Sequence, residues 1–204
     1  MAGTLIIKNL AELDEGQVRQ AVEIYAANFS QPLSFISTEL DVLADALQHS
    51  FQRTHYYVGL LNGNVVSIAA YSTRWERSHQ FQRKELVRAL GLINGYRAYL
   101  RLHRELECPL DIQDHQCYLE SVATDSAYRG KGFSYKIQTY LFDILPFEEF
   151  LLEVDDSNYQ AVQLYEKMGF SIYHRKTMRS NDRQKGSVER LYLRKTTPKT
   201  LIAK

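Results

Sequence analysis

The chain has 204 residues, 45% of them hydrophobic and 24% charged, which is enough to bury the core of one globular domain. Its 25 lysines and arginines nearly balance its 24 aspartates and glutamates, which argues against the broad basic surface that a nucleic acid or an anionic membrane would require. No stretch approaches the roughly 18 apolar residues of a membrane-spanning helix, and the N-terminus lacks the pattern of a signal peptide, so we expect a soluble, cytoplasmic protein.

The N-terminal half of the sequence predicts a strand, two helices and a hairpin. Residues 4–10 alternate between apolar and polar as a strand does, and apolar side chains then recur at helical spacing over residues 18–29 and again over 40–51. Two β-rich runs follow, joined by Asn62-Gly63-Asn64, and an Asn-Gly pair between such runs is typical of a β-hairpin.

Helices and strands alternate in the remainder of the chain. Residues 80–106 place apolar side chains among many arginines, which predicts one or two amphipathic helices between the hairpin and the next strand. Beyond this insertion, the pattern predicts strands over residues 117–123 and 150–155, helices over 132–145 and 157–168, and a closing strand pair over 171–178 and 188–194.

This order of elements predicts an α/β (α+β) fold with a mixed, mostly antiparallel central sheet and helices on both faces. The alternation of strands and helices between residues 117 and 170 favours parallel neighbours there, whereas the hairpins favour antiparallel pairing elsewhere. We expect a single domain over residues 1–196, with a helical insertion at 74–116 and a C-terminal tail at 197–204. The polar turn at 180–186 and the tail are the candidate linkers.

A basic loop with two glycines, SAYRGKGFSYK at residues 126–136, leads into one of the predicted helices. The first N–H groups of a helix have no intrahelical partners and carry a partial positive charge, so they can bind phosphate. Gly130 and Gly132 allow the backbone to bend tightly there and present no Cβ to a phosphate oxygen. Arg129, Lys131 and Lys136 can add charge-assisted hydrogen bonds, so the loop suits a pyrophosphate.

Spacing separates three kinds of phosphate-binding motif. The GxxxxGK[ST] loop of many nucleotide triphosphatases is absent. The GxGxxG fingerprint of dinucleotide-binding folds directly follows a strand, but here Tyr135 occupies the third glycine position and residues 124–128 intervene. Glu153 does lie at about the right distance for that fingerprint. A Rossmann-type oxidoreductase that binds NAD(P) therefore stays a weaker alternative.

The third motif is a resemblance to a known family. The stretch Arg129-Gly130-Lys131-Gly132-Phe133-Ser134 resembles the R/Q-x-x-G-x-G/A loop of the GNAT superfamily of acyl-CoA-dependent N-acetyltransferases, with serine at the last position as a departure. Upstream, YLESVATD matches the strand that precedes that loop, and downstream NYQAVQLYEKMGF matches the family's second signature. The resemblance covers residues 117–170 and implies a GNAT-like sheet with acetyl-CoA as the donor substrate.

The resemblance also implies catalytic roles for three side chains. Tyr165 occupies the position from which the family's tyrosine donates a proton to the coenzyme A sulfur. Glu153, in the run Leu-Glu-Val, matches the proposed base of ribosomal-protein N-terminal acetyltransferases, and a carboxylate acting through water can deprotonate an alkyl ammonium. Glu120 is a second candidate base, because it shares side-chain parity with Val122 on the strand that enters the loop. Each glutamate could equally be a surface carboxylate or half of a structural ion pair.

The remaining implied contacts hold acetyl-CoA. The backbone N–H of Val122 falls where the family polarises the acetyl carbonyl, and the backbone of Thr124 and the side chain of Asn158 fall where it holds the pantetheine arm. Asn158 could also cap the helix that follows it. Cys108 and Cys117 lack the spacing of zinc ligands, so we expect no metal. The pyrophosphate contacts fall on Arg129, Gly130, Lys131, Gly132, Phe133 and Ser134.

These features favour an acetyl-CoA-dependent N-acetyltransferase that acts by direct attack of a primary amine, on a small molecule or at a peptide or protein N-terminus. A non-catalytic acyl-CoA-binding regulatory module is the alternative from another functional class, although the presence of Tyr165 and Glu153 argues against it. We expect the insertion at 75–108 and the helices at 17–51 to wall the acceptor cleft. The arginines of the insertion either face an acidic substrate or form a solvated surface, and the same surface is a candidate homodimer contact.

Overall fold

The computed structural model describes residues 3–179 and 187–197. In these residues, seven strands form one sheet in which every neighbouring pair is antiparallel except the fourth and fifth strands, which are parallel. The strands are β1 (Ile6–Asn9), β2 (Tyr56–Leu61), β3 (Asn64–Ser72), β4 (Gln116–Thr124), β5 (Glu149–Asp155), β6 (Ser171–Arg179) and β7 (Ser187–Thr196). Their spatial order is β1-β2-β3-β4-β5-β7-β6. The mixed, mostly antiparallel sheet and the β2–β3 hairpin predicted from the sequence are confirmed.

Helices cover both faces of the sheet, as the sequence predicted. They are α1 (Glu15–Asn28), α2 (Ser30–Leu33), α3 (Leu40–Leu47), α4 (Arg83–Leu90), α5 (Leu92–Leu102), α6 (Phe133–Ile144) and α7 (Tyr159–Lys167). Buried side chains of α1, α3, α4 and α5 form a first core with those of β2 and β3. Buried side chains of α6 and α7 form a second core with those of β4, β5 and β7. The insertion was predicted to form one or two helices and forms two, α4 and α5, whereas the short α2 was not predicted.

The strands β4 and β5 pair over only three residues before they separate. Residues 116–118 of β4 pair with residues 149–151 of β5, and beyond them β4 remains paired with β3 while β5 remains paired with β7. A wedge-shaped gap, called the wedge below, therefore opens between residues 119–124 of β4 and the rest of β5. Backbone N–H and C=O groups of β4 that point into the wedge have no strand partner.

A β-bulge interrupts β4 beside the wedge. The pairing register with β3 shifts so that Ser121 and Val122 together oppose the single residue Ala69, and Ser121 takes a left-handed backbone with φ of 56°. Val122 packs against the second core, whereas Glu120 bonds to side chains on the opposite face. The prediction that Glu120 and Val122 share a face is therefore wrong, because the extra residue of the bulge reverses the alternation.

The insertion is anchored to the rest of the chain by its first residues and by its helices. The Gln52 N–H donates to Ser78 O at 2.9 Å and the Gln80 N–H donates to Ser50 O at 2.8 Å, so the two segments pair like short strands. The helices α4 and α5 cross closely at Gly95, where a Cβ would lie 2.4 Å from a carbonyl oxygen of α4. The insertion's contribution to the first core comes from Phe81, Leu86, Ala98 and Leu102.

A buried histidine at the start of the insertion connects several parts of the first core. His79 Nδ1 lies 2.9 Å from Ser50 Oγ, and Nε2 lies 2.8 Å from Tyr56 Oη. Burial lowers the pKa of His79 to about 4, although the negative charge of Glu120 opposes the shift. The imidazole is therefore neutral in the folded chain at pH 7.

The neutral His79 makes stability depend on pH. Below its ordinary pKa of 6.5, the unfolded chain binds a proton here that the folded chain does not bind until about pH 4. The free energy of unfolding should therefore fall by up to about 3 kcal/mol as the pH drops through this window. Urea denaturation at pH 7 and pH 4.5 should show a smaller loss in His79→Gln than in the native chain. The control His115→Gln removes an exposed imidazole and should keep the native loss; equal losses in all three proteins would contradict the prediction.

Candidate active site

The glycine loop leads into α6, as the sequence predicted. Gly130 and Gly132 have φ of 76° and 75°, a left-handed conformation that residues with a Cβ rarely adopt, and Gly132 directly precedes the first helical residue. A Cβ at either glycine would meet no atom within 4 Å. The backbone conformation therefore requires the glycines, and the space in front of them is open to a ligand.

The first turn of α6 presents free backbone donors beside that space. The Lys136 N–H donates to Gly132 O at 3.0 Å, which leaves the N–H groups of residues 133–135 without an acceptor inside the helix. No side chain in the described part of the chain caps this helix. These donors and the positive end of the helix dipole fit an anionic group such as a pyrophosphate.

The basic side chains of the loop are held near it by their neighbours. Arg129 Nη2 donates to Asn28 Oδ1 of α1 at 2.8 Å, and Lys131 Nζ lies 4.7 Å from the centre of the Tyr128 ring. Both cations are exposed, and Arg129 has further N–H groups that its bond to Asn28 does not use. Their positive charge therefore adds to that of the helix end.

The predicted contacts to a pantetheine arm lie on the two sides of the wedge. Val122 and Thr124 belong to the part of β4 that β5 leaves unpaired. Asn158 follows the carboxyl end of β5, and its Oδ1 accepts from the Ala161 N–H at 3.3 Å, so its side chain caps α7. This bond uses only the oxygen of the amide, so the Nδ2 group can still donate to a ligand.

Tyr165 is buried in the second core. Its ring packs edge to face on Phe170 with the centroids 5.6 Å apart, and only 9% of the residue is exposed. Burial raises the pKa of Tyr165 to about 12, so the phenol is protonated at neutral pH. A protonated phenol can donate a proton but cannot accept one as a base.

Glu153 lies on the opposite face of β5 from the second core. Its neighbours along the strand, Leu152 and Val154, are in that core, and alternation turns Glu153 away from it. Glu153 Oε1 accepts from Arg190 Nη1 at 2.5 Å, and 34% of its side chain is exposed. Arg190 Nε also donates to Asp155 Oδ1 at 2.6 Å. One arginine therefore pairs with both carboxylates.

Glu120 is the more deeply buried of the two predicted bases, with 13% of its side chain exposed. Its carboxylate accepts hydrogen bonds from the Ser72 hydroxyl, from Ser78 Oγ at 2.7 Å and from Arg77 Nη2 at 3.2 Å. Arg77 Nη1 also donates to Cys108 O at 2.7 Å. Glu120 thus fastens the start of the insertion to β4, and Arg77 links that start to Cys108 farther along the insertion. Glu120 and Arg77 form a structural ion pair of the kind that the sequence left open.

Tyr118 is a residue of this face that the sequence analysis missed. It precedes Glu120 by two residues on β4, before the bulge, so the two side chains share a face. Burial raises the pKa of Tyr118 far above its ordinary value, and the negative charges of Glu153 and Glu120 add to the shift. The alternation of the strand was the available signal, but a sequence with 14 tyrosines gave no reason to single this one out.

The two faces beside the wedge carry different chemistry. The helix end and the Tyr165 phenol belong to the side of α6 and α7, whereas both glutamates and Tyr118 belong to the other side. Such an arrangement can hold an elongated anion and place its far end between a proton donor and a carboxylate. Within residues 3–179 and 187–197, no cluster of three metal-binding side chains occurs, and no helix has the length and apolar character needed to cross a membrane.

Solved structures of several acetyltransferases resemble this fold. An N-acetyltransferase of Staphylococcus aureus aligns over 95% of this chain and 98% of its own, with a TM-score of 0.58 and 14% identity. The ribosomal-protein-S18-alanine N-acetyltransferase of Escherichia coli aligns over 98% and 100%, with a TM-score of 0.56 and 14% identity. The protein yncA of Salmonella typhimurium, solved with its cofactor acetyl-CoA, aligns over 98% of both chains, with a TM-score of 0.57 and 13% identity. At these identities the likeness establishes the fold.

A comparison of sequences identifies the family. A search of curated proteins found no match. The family model described as acetyltransferase (GNAT) family matches residues 19–170, well over half of the chain. This range contains the glycine loop, both sides of the wedge and α7. The match and the shared fold show that the chain belongs to the GNAT family of acetyltransferases.

Proposed function

We propose that this protein is an acetyl-CoA-dependent N-acetyltransferase that transfers the acetyl group directly to a primary amine, on a small molecule or at a peptide or protein N-terminus. The observation that carries the proposal is the wedge, which extends from the open helix end of α6 to the β4 bulge, with the buried phenol of Tyr165 in the core on the face of α6 and α7. One similar structure contains acetyl-CoA, and another protein acts, by its name, on an alanine of a ribosomal protein. The first supports acetyl-CoA as the donor, and the second supports a protein N-terminus as one class of acceptor.

The pyrophosphate of the donor is bound mainly by backbone groups. The N–H groups of residues 133–135 face the open space that the two glycines leave, and they include those of Phe133 and Ser134. Arg129 and Lys131 add positive charge from the loop. The serine in place of a small glycine or alanine keeps its N–H, so it serves the same purpose.

The pantetheine arm and the acetyl group follow the unpaired edge of β4. The backbone of Thr124 bonds the arm as a neighbouring strand would, and Asn158 donates from the β5 side of the wedge. The acetyl carbonyl then reaches the bulge, where the Val122 N–H binds its oxygen. A backbone donor fixed at that point stabilises the negative charge that develops on the oxygen during transfer.

The acceptor reacts as the neutral amine, and transfer then requires one proton to leave its nitrogen and one to reach the departing sulfur. Glu153 takes the first proton, directly or through water, as the amine nitrogen bonds to the carbonyl carbon. Tyr165 donates the second proton to the sulfur as the carbon–sulfur bond breaks, which yields an amide and coenzyme A. Solvent then returns a proton to Tyr165 and removes one from Glu153.

The acceptor approaches from the face that carries both glutamates. The bond network of Glu120 ties the insertion to β4, which supports the expectation that α4 and α5 wall part of the cleft. Arg88 and Arg101 of these helices pair with glutamates of the insertion itself, which favours a solvated surface over a site for an acidic substrate. Leu92 and Ile93 on α5 are exposed apolar side chains, and we propose this surface as a homodimer contact.

The alternatives have less support. A Rossmann-type site needs a sheet of parallel strands around its glycine loop, but the sheet here has a single parallel pair and Tyr135 is exposed in the first turn of α6. A non-catalytic acyl-CoA-binding module has no need of a buried phenol beside the wedge.

We also propose one domain over residues 1–196 with its insertion at 74–116. The turn at 180–186 and the tail after residue 197 lie outside the described residues.

Coenzyme binding can be tested at Gly132. In Gly132→Asp, a carboxylate stands where the pyrophosphate should bind, so the affinity for coenzyme A and acetyl-CoA should fall by about 100-fold or more. Gly91→Asp is a matched control, because Gly91 has a similar φ of 79° and open space but precedes α5. Calorimetric titrations with coenzyme A, acetyl-CoA and NADH should show binding of the first two only. Binding of NADH instead, or native affinity in Gly132→Asp, would contradict the proposal.

The acid and the base can be tested together by pH–rate profiles. With an acceptor found by screening amines and N-terminal peptides, Tyr165→Phe should lower kcat by about 10²–10⁴-fold at unchanged acetyl-CoA affinity. Glu153→Gln should lower kcat and remove the rise of rate with pH that deprotonation of the base produces. Tyr140→Phe, on α6, is the control for the loss of a phenol. If Tyr165→Phe keeps the native kcat, Tyr165 is not the acid, and a native profile in Glu153→Gln would move the role of base to Glu120.

A further inference from the structure

The bulge of β4 is held in an unfavourable backbone conformation. Ser121 has φ of 56°, and residues with a Cβ seldom occupy this left-handed region. Such conformations persist only where the surrounding structure fixes them. The conformation of Ser121 also orients the next peptide unit, which carries the N–H of Val122. Whatever holds Ser121 therefore also aims the N–H that is proposed to bind the acetyl carbonyl.

One buried side chain reaches Ser121 from the first core. Tyr56 is completely buried on β2, and its Oη lies 3.2 Å from Ser121 Oγ and 2.8 Å from His79 Nε2. His79 Nδ1 lies 2.9 Å from Ser50 Oγ, three residues beyond α3. A chain of hydrogen bonds therefore connects the bulge, through β2 and the start of the insertion, to the end of α3.

The donors in this chain can be assigned. The Ser50 hydroxyl donates to Leu47 O at 2.8 Å, so its oxygen must accept from His79 Nδ1. The neutral His79 then has no proton on Nε2 and accepts from the Tyr56 hydroxyl, whose oxygen also lies within hydrogen-bonding distance of Ser121 Oγ. Burial keeps both rings in these states, because it lowers the pKa of His79 to about 4 and raises the pKa of Tyr56 well above its ordinary value.

The proposed reaction does not directly involve this series of hydrogen bonds. Neither ring lies among the groups proposed to contact the coenzyme or the acceptor, and burying polar groups in an apolar core is unfavourable unless every one of them is bonded. The series of hydrogen bonds ends at Ser121, the one residue of β4 with a left-handed backbone. Its position is therefore better explained by the bulge than by the stability of the first core alone.

Resting on the proposed acetyl transfer, we propose that Tyr56, oriented by His79, is a positioning residue for the acetyl-binding N–H of Val122. Tyr56 holds Ser121 in its left-handed conformation and so aims that N–H into the wedge. The coenzyme's pyrophosphate and pantetheine contacts lie elsewhere. Loss of the Tyr56 hydroxyl should thus impair the reaction of the acetyl group and leave the binding of coenzyme A unchanged.

A double-mutant cycle tests this coupling. Glycine adopts φ of 56° without steric conflict, so Ser121→Gly should free the bulge from its need for Tyr56. Tyr56→Phe alone should lower kcat by about 10-fold, less than the roughly 10²–10³-fold effect of losing an entire oxyanion donor. The Kd for coenzyme A should stay unchanged. In the Ser121→Gly background, the same substitution should lower kcat by less than about 2-fold.

A spectroscopic measurement separates positioning from a general loss of stability. In the native chain, the amide NMR signal of Val122 should shift more with acetyl-CoA than with coenzyme A, and this difference should disappear in Tyr56→Phe. The control Tyr57→Phe removes a phenol from the next position on β2, on the opposite face, and should keep the native kcat and the native shift. Thermal melts identify any variant that does not fold.

The outcomes distinguish this inference from the proposed function. A loss of about 10-fold in both backgrounds of the cycle, or a native kcat and a native Val122 shift in Tyr56→Phe, would overturn the positioning role while leaving acetyl transfer intact. A native chain that binds neither coenzyme A nor acetyl-CoA would overturn the proposed function, and the positioning role with it. Non-additive kcat values together with the lost shift support the inference.

Discussion

The separation of β4 from β5 is the constraint on which the rest of the structure depends. Each strand keeps its other neighbour, because β4 stays paired with β3 and β5 pairs with β7 along its whole length. Both strands also pack against α6 and α7 in the second core, so neither can move to close the gap without disturbing that packing. The backbone groups of β4 that face the wedge consequently need a partner from outside the sheet. A linear ligand with amide groups, such as the proposed pantetheine arm, has groups that can pair with them.

The other parts of the candidate site follow from this open edge. The chain leaves β4 at its carboxyl end and enters α6 through the two glycines, so the free N–H groups of the helix lie at one end of the wedge. The bulge lies farther back along the same strand, and Tyr165 belongs to the core under the wedge. An anion site, an unpaired strand edge and a turned backbone donor thus follow one another from the end of β4 back to its bulge. This order matches the order of pyrophosphate, pantetheine arm and acyl carbonyl in an acyl-CoA, in which the sulfur joins the arm to the carbonyl.

The sequence could predict the features that depend on neighbouring residues, and it failed where distant residues decide. The positive φ of Gly130 and Gly132 and the start of α6 are local properties, and the sequence indicated both. The bulge is not local, because it depends on the register between β3 and β4, and it reversed the face predicted for Glu120. The arginine partners of Glu120 and Glu153 lie 43 and 37 residues away along the chain, beyond the reach of any spacing rule. The contact between Tyr56 and Ser121 could not be predicted from the sequence for the same reason, because 65 residues separate the two.

The surroundings of the two glutamates favour different roles for them. Glu120 receives hydrogen bonds from two hydroxyls and one guanidinium, and those donors also fix the insertion, so moving its carboxylate would disturb several contacts at once. Glu153 has Arg190 as its partner, a residue that Asp155 also binds, and Glu153 is more exposed. When Glu153 accepts a proton, Arg190 retains a carboxylate partner, so no buried charge is left unpaired. Protonation of Glu120 would instead leave Arg77 unpaired in a buried site, and for this reason we favour Glu153 as the base.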